Sequence, residues 1–291
     1  MKYLVTGAAG QLGREITKLL EGERNQVVAI DRAELDFSLP EKVTEGIAQE
    51  RADWVINCAA YTQVDSAEQE RDAAFLVNRD SALAVAEGVK SYGGRLLQIS
   101  TDFIFDGRQS TPYREEDKAN PLSVYGQSKW EGENALRQAM PDAAILRTAW
   151  VYGEHGNNFV KTMLRLAAER EEFGVVDDQV GTPSWTADIA RAIRALTAAD
   201  AFGIYHFTNE GVASWYDFAC EILNSARELG YPVRTKRVKP IPTSDYPTPA
   251  TRPAYSVLSK RKIRGLLDYD IPHWRKSLNA MLGQNLRSRT K

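Results

Sequence analysis

Tyr125 and Lys129 stand four residues apart in Ser123–Gln138, a stretch of helical period, so their side chains fall on one helix face about one turn apart. An ammonium that close to a phenol favours the phenolate and pulls the tyrosine down from its usual value of about 10, giving a proton donor or acceptor usable near neutrality. Spacing alone leaves two readings, a solvated surface pair and a catalytic pair, of which the first is the commoner. Weight moves to the second because Ser100-Thr101-Asp102 forms a polar cluster at the end of an apolar strand, where open α/β sheets build their sites. A plain strand-to-loop transition with a satisfied hydroxyl is the alternative reading of that cluster.

The elements that must carry these groups alternate. Apolar, β-prone segments near Tyr3–Thr6, Val27–Ile30, Trp54–Asn57, Leu96–Ser100 and Ala144–Arg147 are separated by helical patterns at Gln11–Leu20, Pro40–Glu50, Ala73–Tyr92 and Ser123–Gln138. Repeated strand-then-helix steps predict an α/β fold, a Rossmann-type doubly wound parallel sheet, with ligands at the carboxyl ends of its strands. The first step carries Gly7-Ala-Ala-Gly10-Gln-Leu-Gly13 between strand and helix. Gly7 suits the tight turn, Gly10 the close approach of backbone to a pyrophosphate and Gly13 the packing of helix on strand, with helix amides facing the anion. The spacing is GxxGxxG rather than GxGxxG, and a ligand-free glycine turn is the competing reading. Asp31 ends the second strand 18 residues past Gly13, near the distance expected of an acid on the ribose hydroxyls, which favours NAD. Arg32 follows at once and suits a 2′-phosphate, so NADPH and NADH both stand.

Beyond Trp150 the pattern loosens. Residues 1–150 read as a dinucleotide-binding domain to which 176–207 adds, and residues 151–175 and 208–283 as a smaller substrate-binding lobe. Prolines at 240, 242, 247, 249 and 253 predict an irregular loop draped over a site, and Gln284 to Lys291 a frayed terminus. Trp150, just past a strand end, suits either an apolar wall for a bound ligand or a core position. Arg252 suits either a substrate diphosphate or plain solvent.

A net charge of -2, from 37 Lys+Arg against 39 Asp+Glu, directs the chain toward neither nucleic acid nor an anionic membrane, leaving a small molecule as partner. Two distant cysteines suggest neither a disulfide framework nor a zinc site. The short apolar start and the lack of a bilayer-spanning run predict a mature, soluble, cytoplasmic chain.

Gly7 to Gly13, Asn57-Cys58-Ala59-Ala60-Tyr61, Ser100-Thr101-Asp102 and Tyr125-x-x-x-Lys129 together resemble the extended short-chain dehydrogenases/reductases. Within that group, the blocks Leu4–Gly13, Ala60–Glu68, Ser100–Gly107 and Arg147–Gly153 are similar to the reductases of 4-keto-6-deoxy nucleotide sugars. The resemblance implies a catalytic triad of Thr101, Tyr125 and Lys129. Hydride would pass from the nicotinamide to a C4 ketone, Tyr125 supplying the proton, Lys129 holding the nicotinamide ribose and Thr101 orienting the carbonyl. It further implies Gln11 and Leu12 along the pyrophosphate turn, Asp36 and Phe37 beside the adenine, and Ala59, Ala60 and Tyr61 lining the cofactor cleft. Val64, Asp102, Phe103 and Trp150 would meet the nucleotide-sugar. Magnesium and a homodimer follow from the resemblance only; no ligand spacing in the chain marks a metal. Phe103 stands where those reductases usually carry tyrosine, which deletes a hydrogen-bonding hydroxyl and keeps another 4-keto-6-deoxy sugar open as substrate. A non-catalytic dinucleotide-binding regulatory subunit is the alternative from a different class.

Overall fold

A computed structural model describes residues 1–289. Its strands are β1 (Lys2–Thr6), β2 (Gln26–Ile30), β3 (Trp54–Asn57), β4 (Arg95–Thr101), β5 (Ala144–Thr148), β6 (Val151–Tyr152), β7 (Glu172–Val176), β8 (Val180–Gly181), β9 (Ser184–Trp185), β10 (Gly203–His206), β11 (Ala213–Ser214) and β12 (Arg237–Ile241). Its helices are α1 (Gln11–Gly22), α2 (Pro40–Glu50), α3 (Arg71–Phe75), α4 (Ser81–Tyr92), α5 (Val124–Ala139), α6 (Phe159–Glu169), α7 (Thr186–Ala198), α8 (Trp215–Glu228), α9 (Arg261–Arg264) and α10 (Trp274–Arg289).

Six strands form one sheet in the order β10-β5-β4-β3-β1-β2, every pair parallel. The expected Rossmann-type sheet is borne out. Strands β3 and β5 open on apolar runs, Trp54–Ile56 and Ala144–Leu146, and are buried at every residue because helices cover both faces of the sheet; only their carboxyl ends, Asn57 and Arg147–Thr148, are polar. On one face Ile16 and Leu20 of α1 meet Ile189 and Ile193 of α7. On the other, Val43 and Ile47 of α2 meet Val85 and Val89 of α4. The chain steps outward from β1 to β2 and then returns to the other side of β1 at β3, so the order reverses there and a crevice opens outside the strand ends. A separate core, with Tyr152, Val160, Phe218, Trp274 and Leu278, gathers α6, α8 and α10 against that end.

Three local expectations need correction. Pro240 does not break regular structure: it pairs opposite Val175 in the two-stranded β7–β12 ladder, whose open edges tolerate a residue without an N–H. The helix expected at Ala73–Tyr92 starts at Arg71 and is interrupted by a π-helical turn at Leu76–Asp80. The predicted fraying from Gln284 gives way to helix, since α10 runs on to Arg289 through residues that include neither Gly nor Pro after Gly283; residues 290–291 lie outside the described residues.

Candidate active site

The crevice is a cavity of about 850 Å³ along the carboxyl ends of β1, β3, β4 and β5. At one end lies the glycine turn. Gly7 has φ +62°, and a Cβ on Gly13 would lie 2.3 Å from the Gly7 carbonyl oxygen, so no larger residue fits where α1 meets the turn. Gly10 caps α1 without any side-chain bond, and no acid sits in the first turn, which leaves the helix amides and their positive end open to a phosphate. The turn therefore suits a dinucleotide pyrophosphate. Asp31 and Arg32 line the next stretch, with Asp31 Oδ1 already accepting from Ala33 N at 2.7 Å. Asp36 accepts from Ser38 N at 2.9 Å, which holds its carboxyl below the usual range, and Phe37 beside it is buried.

At the other end Thr101 closes β4 and Tyr125 opens α5. Ser123 caps that helix by accepting from Gly126 N at 3.1 Å. A Cβ on Gly126 would come 2.2 Å from the Phe103 carbonyl oxygen, so this glycine lets α5 press against the 3-10 turn Asp102–Ile104 and brings Tyr125 beside Thr101. Farther along α5, Glu133 takes a bidentate bond from Arg147 of β5 (Nε to Oε1 3.0 Å, Nη2 to Oε2 2.7 Å), both side chains being 1% exposed. Arg147 Nη1, its remaining nitrogen, lies 3.3 Å from His206 Nε2 of β10 and donates to the Glu115 carbonyl; burial pushes His206 down to about 3. That network ties the helix bearing Tyr125 and Lys129 to the sheet.

The electrostatics differ from the expectation that Lys129 lowers Tyr125. Burial pushes the Tyr125 phenol up to about 12, with the Thr101 side-chain hydrogen bond opposing and Asp102 reinforcing the rise. The Lys129 ammonium instead donates to the Ile99 carbonyl at 2.8 Å, and burial brings it down to about 8. Tyr125 is thus held in its acid form at neutral pH, as a proton donor must be. Asp102 is raised to about 6 by burial, accepts from Thr101 Oγ1 at 3.1 Å and leaves Oδ2 without a partner. Cys58 in the same cleft is pushed up to about 12 by burial, so its thiol stays neutral and unreactive.

Of the residues singled out from sequence, Gly7, Gly10, Gln11, Leu12, Gly13, Asp31, Arg32, Asp36, Phe37, Ala59, Ala60, Tyr61, Val64, Thr101, Asp102, Phe103, Tyr125, Lys129 and Trp150 all line this one cavity. Arg252 does not. It forms a bidentate ion pair with Asp65 (Nη1 to Oδ1 3.0 Å, Nη2 to Oδ2 2.8 Å) and binds the Ala250 carbonyl. Thr148 was missed as a site residue, and Ser100, read as part of the polar cluster at the end of β4, was given no role of its own. Both line the cavity with buried hydroxyls that lack a partner, and Thr148 sits opposite Thr101 in the β4–β5 register. A threonine at the carboxyl end of the neighbouring strand was the available signal. Together with Asp102 Oδ2 these are groups that a polar ligand satisfies. Among the described residues one set of potential metal ligands, Glu15, Glu154 and His155, has its ligand atoms within 4.8 Å of one another. None of the three lines the cleft, and no role in the reaction is derived for magnesium.

A Rossmann-type sheet with a glycine turn at its switch point and a tyrosine–lysine pair in the same cleft is the architecture of a dinucleotide-dependent oxidoreductase. The chain belongs to the RmlD substrate binding domain family, whose model matches residues 1–287. It is 43% identical to the dTDP-4-dehydrorhamnose reductase of Aggregatibacter actinomycetemcomitans over 95% of this chain and 97% of that protein. The dTDP-4-keto-6-deoxy-D-glucose reductase of Streptomyces niveus is 41% identical over 95% of each. Among solved structures, the Bacillus anthracis dTDP-4-dehydrorhamnose reductase in complex with NADP superposes with a TM-score of 0.92 at 36% identity, over 97% of this chain and 99% of that one. No helix among the described residues is long and apolar enough to cross a membrane.

Proposed function

We propose that the protein reduces the C4 ketone of dTDP-4-dehydro-L-rhamnose to give dTDP-L-rhamnose. The observation that carries this reading is the convergence of Thr101, Tyr125 and Lys129 in the cavity that the glycine turn opens. When bound, the reduced dinucleotide supplies a hydride to C4. The chain does the rest. Tyr125, protonated because of its burial, gives its proton to the oxygen that becomes the C4 hydroxyl. Thr101 orients the carbonyl, and Lys129 holds the nicotinamide ribose. Gln11, Leu12 and the glycine turn take the pyrophosphate; Ala59 to Tyr61 line the cofactor side. Val64, Asp102, Phe103 and Trp150 bound the sugar end, and the lobe of residues 151–175 and 208–283 completes it.

NADPH is the proposed reductant. Arg32 lines the adenosine end while one oxygen of Asp31 is spent on its own turn, a balance that favours a 2′-phosphate over a bare ribose. Likeness to the NADP-bound reductase supports it. A second reading, reduction of a different 4-keto-6-deoxy nucleotide sugar, is favoured by Phe103 and by the Streptomyces niveus relative.

The test is reduction with NADPH or NADH deuterated at nicotinamide C4, followed by NMR of the nucleotide-sugar product. Deuterium at C4 of dTDP-L-rhamnose, formed faster with NADPH, is expected. No transfer from either dinucleotide would remove the assignment, and transfer only to another keto-sugar would select the second reading.

A further inference from the structure

Trp150 has φ 47°, a left-handed backbone that an aromatic residue seldom adopts and that its surroundings must hold. Three contacts hold it. Its carbonyl accepts from Ser184 N at 3.1 Å. Its indole stacks on that of Trp215, with centroids 3.5 Å and planes 4° apart. A Cβ added to Gly181 would come within 2.6 Å of the same indole, so backbone packs close against it.

Trp215 itself opens α8 and is absent from the cleft lining. Its own orientation is set by a bond from Nε1 to Gln179 Oε1 at 3.2 Å and by Phe159, whose ring centroid lies 4.6 Å away. Gln179 is buried and donates in turn to Thr243 Oγ1 at 3.1 Å, just past β12. The Trp150 ring therefore cannot swing without displacing a second ring that is anchored in the C-terminal lobe.

We propose that Trp215 is a specificity-determining positioning residue: it does not touch the substrate, but by stacking on Trp150 it fixes the indole wall against which the deoxysugar lies. This rests on the reading that Trp150 meets the nucleotide-sugar. A ring held in place beforehand loses no rotamer freedom when the sugar arrives. A fixed apolar wall also selects a hexose face bearing a methyl group, because it offers no partner to a hydroxyl buried there.

The experiment compares wild type, Trp150→Phe, Trp215→Leu, Trp215→Phe and the double variant Trp150→Phe/Trp215→Leu, reading KM for the keto-sugar, KM for NADPH and kcat. Trp215→Leu is expected to raise the sugar KM threefold to tenfold, roughly the fold-change of a lost ring stack. NADPH KM and kcat should hold, Trp215→Phe should restore most of the loss, and the double variant should be no worse than Trp150→Phe. A sugar KM unmoved by Trp215→Leu while Trp150→Phe raises it, or losses that add in the double variant, would overturn the positioning role alone. A sugar KM unmoved by Trp150→Phe would overturn the underlying placement of the sugar and this inference with it. Should Trp215→Leu not fold, Gln179→Leu frees the Trp215 nitrogen while keeping both rings; a smaller rise in sugar KM supports the inference and no rise defeats it.

Discussion

The two ends of the cleft are built by opposite means. The proposed phosphate cradle is one run of seven residues, Gly7 to Gly13, which offers backbone amides and an absence of side chains. The proposed reacting end is assembled from residues scattered through the chain: Thr101 on β4, Tyr125 and Lys129 on α5, Trp150 after β5, with Trp215 on α8 behind it. A cradle of that kind fails only if its own turn changes. An assembled corner depends on the contacts that hold its parts in register, and those lie outside the cavity.

That difference can be broken first at Glu133. Removing its carboxylate leaves Arg147 buried and unpaired, which costs about 3–5 kcal/mol. Glu133→Ala is expected to lose that much in denaturant unfolding and, in the fraction still folded, to lower kcat far more than it weakens dinucleotide binding, since α5 brings only Lys129 to the cofactor. Equal loss at both ends would deny that α5 and the glycine turn are independent. Gly13→Ala is the converse. Its methyl meets the Gly7 carbonyl, and overpacking of that kind costs about 1–3 kcal/mol; calorimetric titration should show weakened NADPH binding. Unaltered binding would mean the turn is not the phosphate site.

Asp102 sharpens the comparison through pH. Its folded-state value of about 6 lies above the ordinary 3.8, so the folded protein holds the extra proton between those values. Stability from this group is intact below 3.8 and is lost as pH rises through about 6. Asp102→Asn should therefore gain on wild type across that window, reaching about 3 kcal/mol above it, when unfolding is measured on either side. A parallel pH dependence in the two proteins would contradict the burial argument.

Legibility in the sequence follows the same division. The sheet and the cradle were readable because short apolar β-prone runs, helical periods of 3.6 and a contiguous glycine turn are local properties. Tyr125 and Lys129 were readable as a pair but not as an acid: their spacing predicted a lowered phenol, whereas Lys129 reaches the Ile99 carbonyl and burial raises Tyr125 instead. Desolvation depends on what covers a residue, and that is written in other parts of the chain. Arg252 shows the same thing, since its partner Asp65 is distant in sequence and bonds it in both carboxylate oxygens. Pro240 misled because a rule for sheet interiors was applied to what is a two-stranded edge.

The most direct measurement is the oxidation of NADPH by wild type and Tyr125→Phe with dTDP-4-dehydro-L-rhamnose, beside the NADPH dissociation constant of each. With the phenol as proton donor, turnover in the variant falls by a factor on the order of 10² to 10⁴ while NADPH binding is unchanged. Turnover in Tyr125→Phe that stays within about tenfold of wild type would contradict the assignment of the acid, and with it the reading of the assembled end of the cleft.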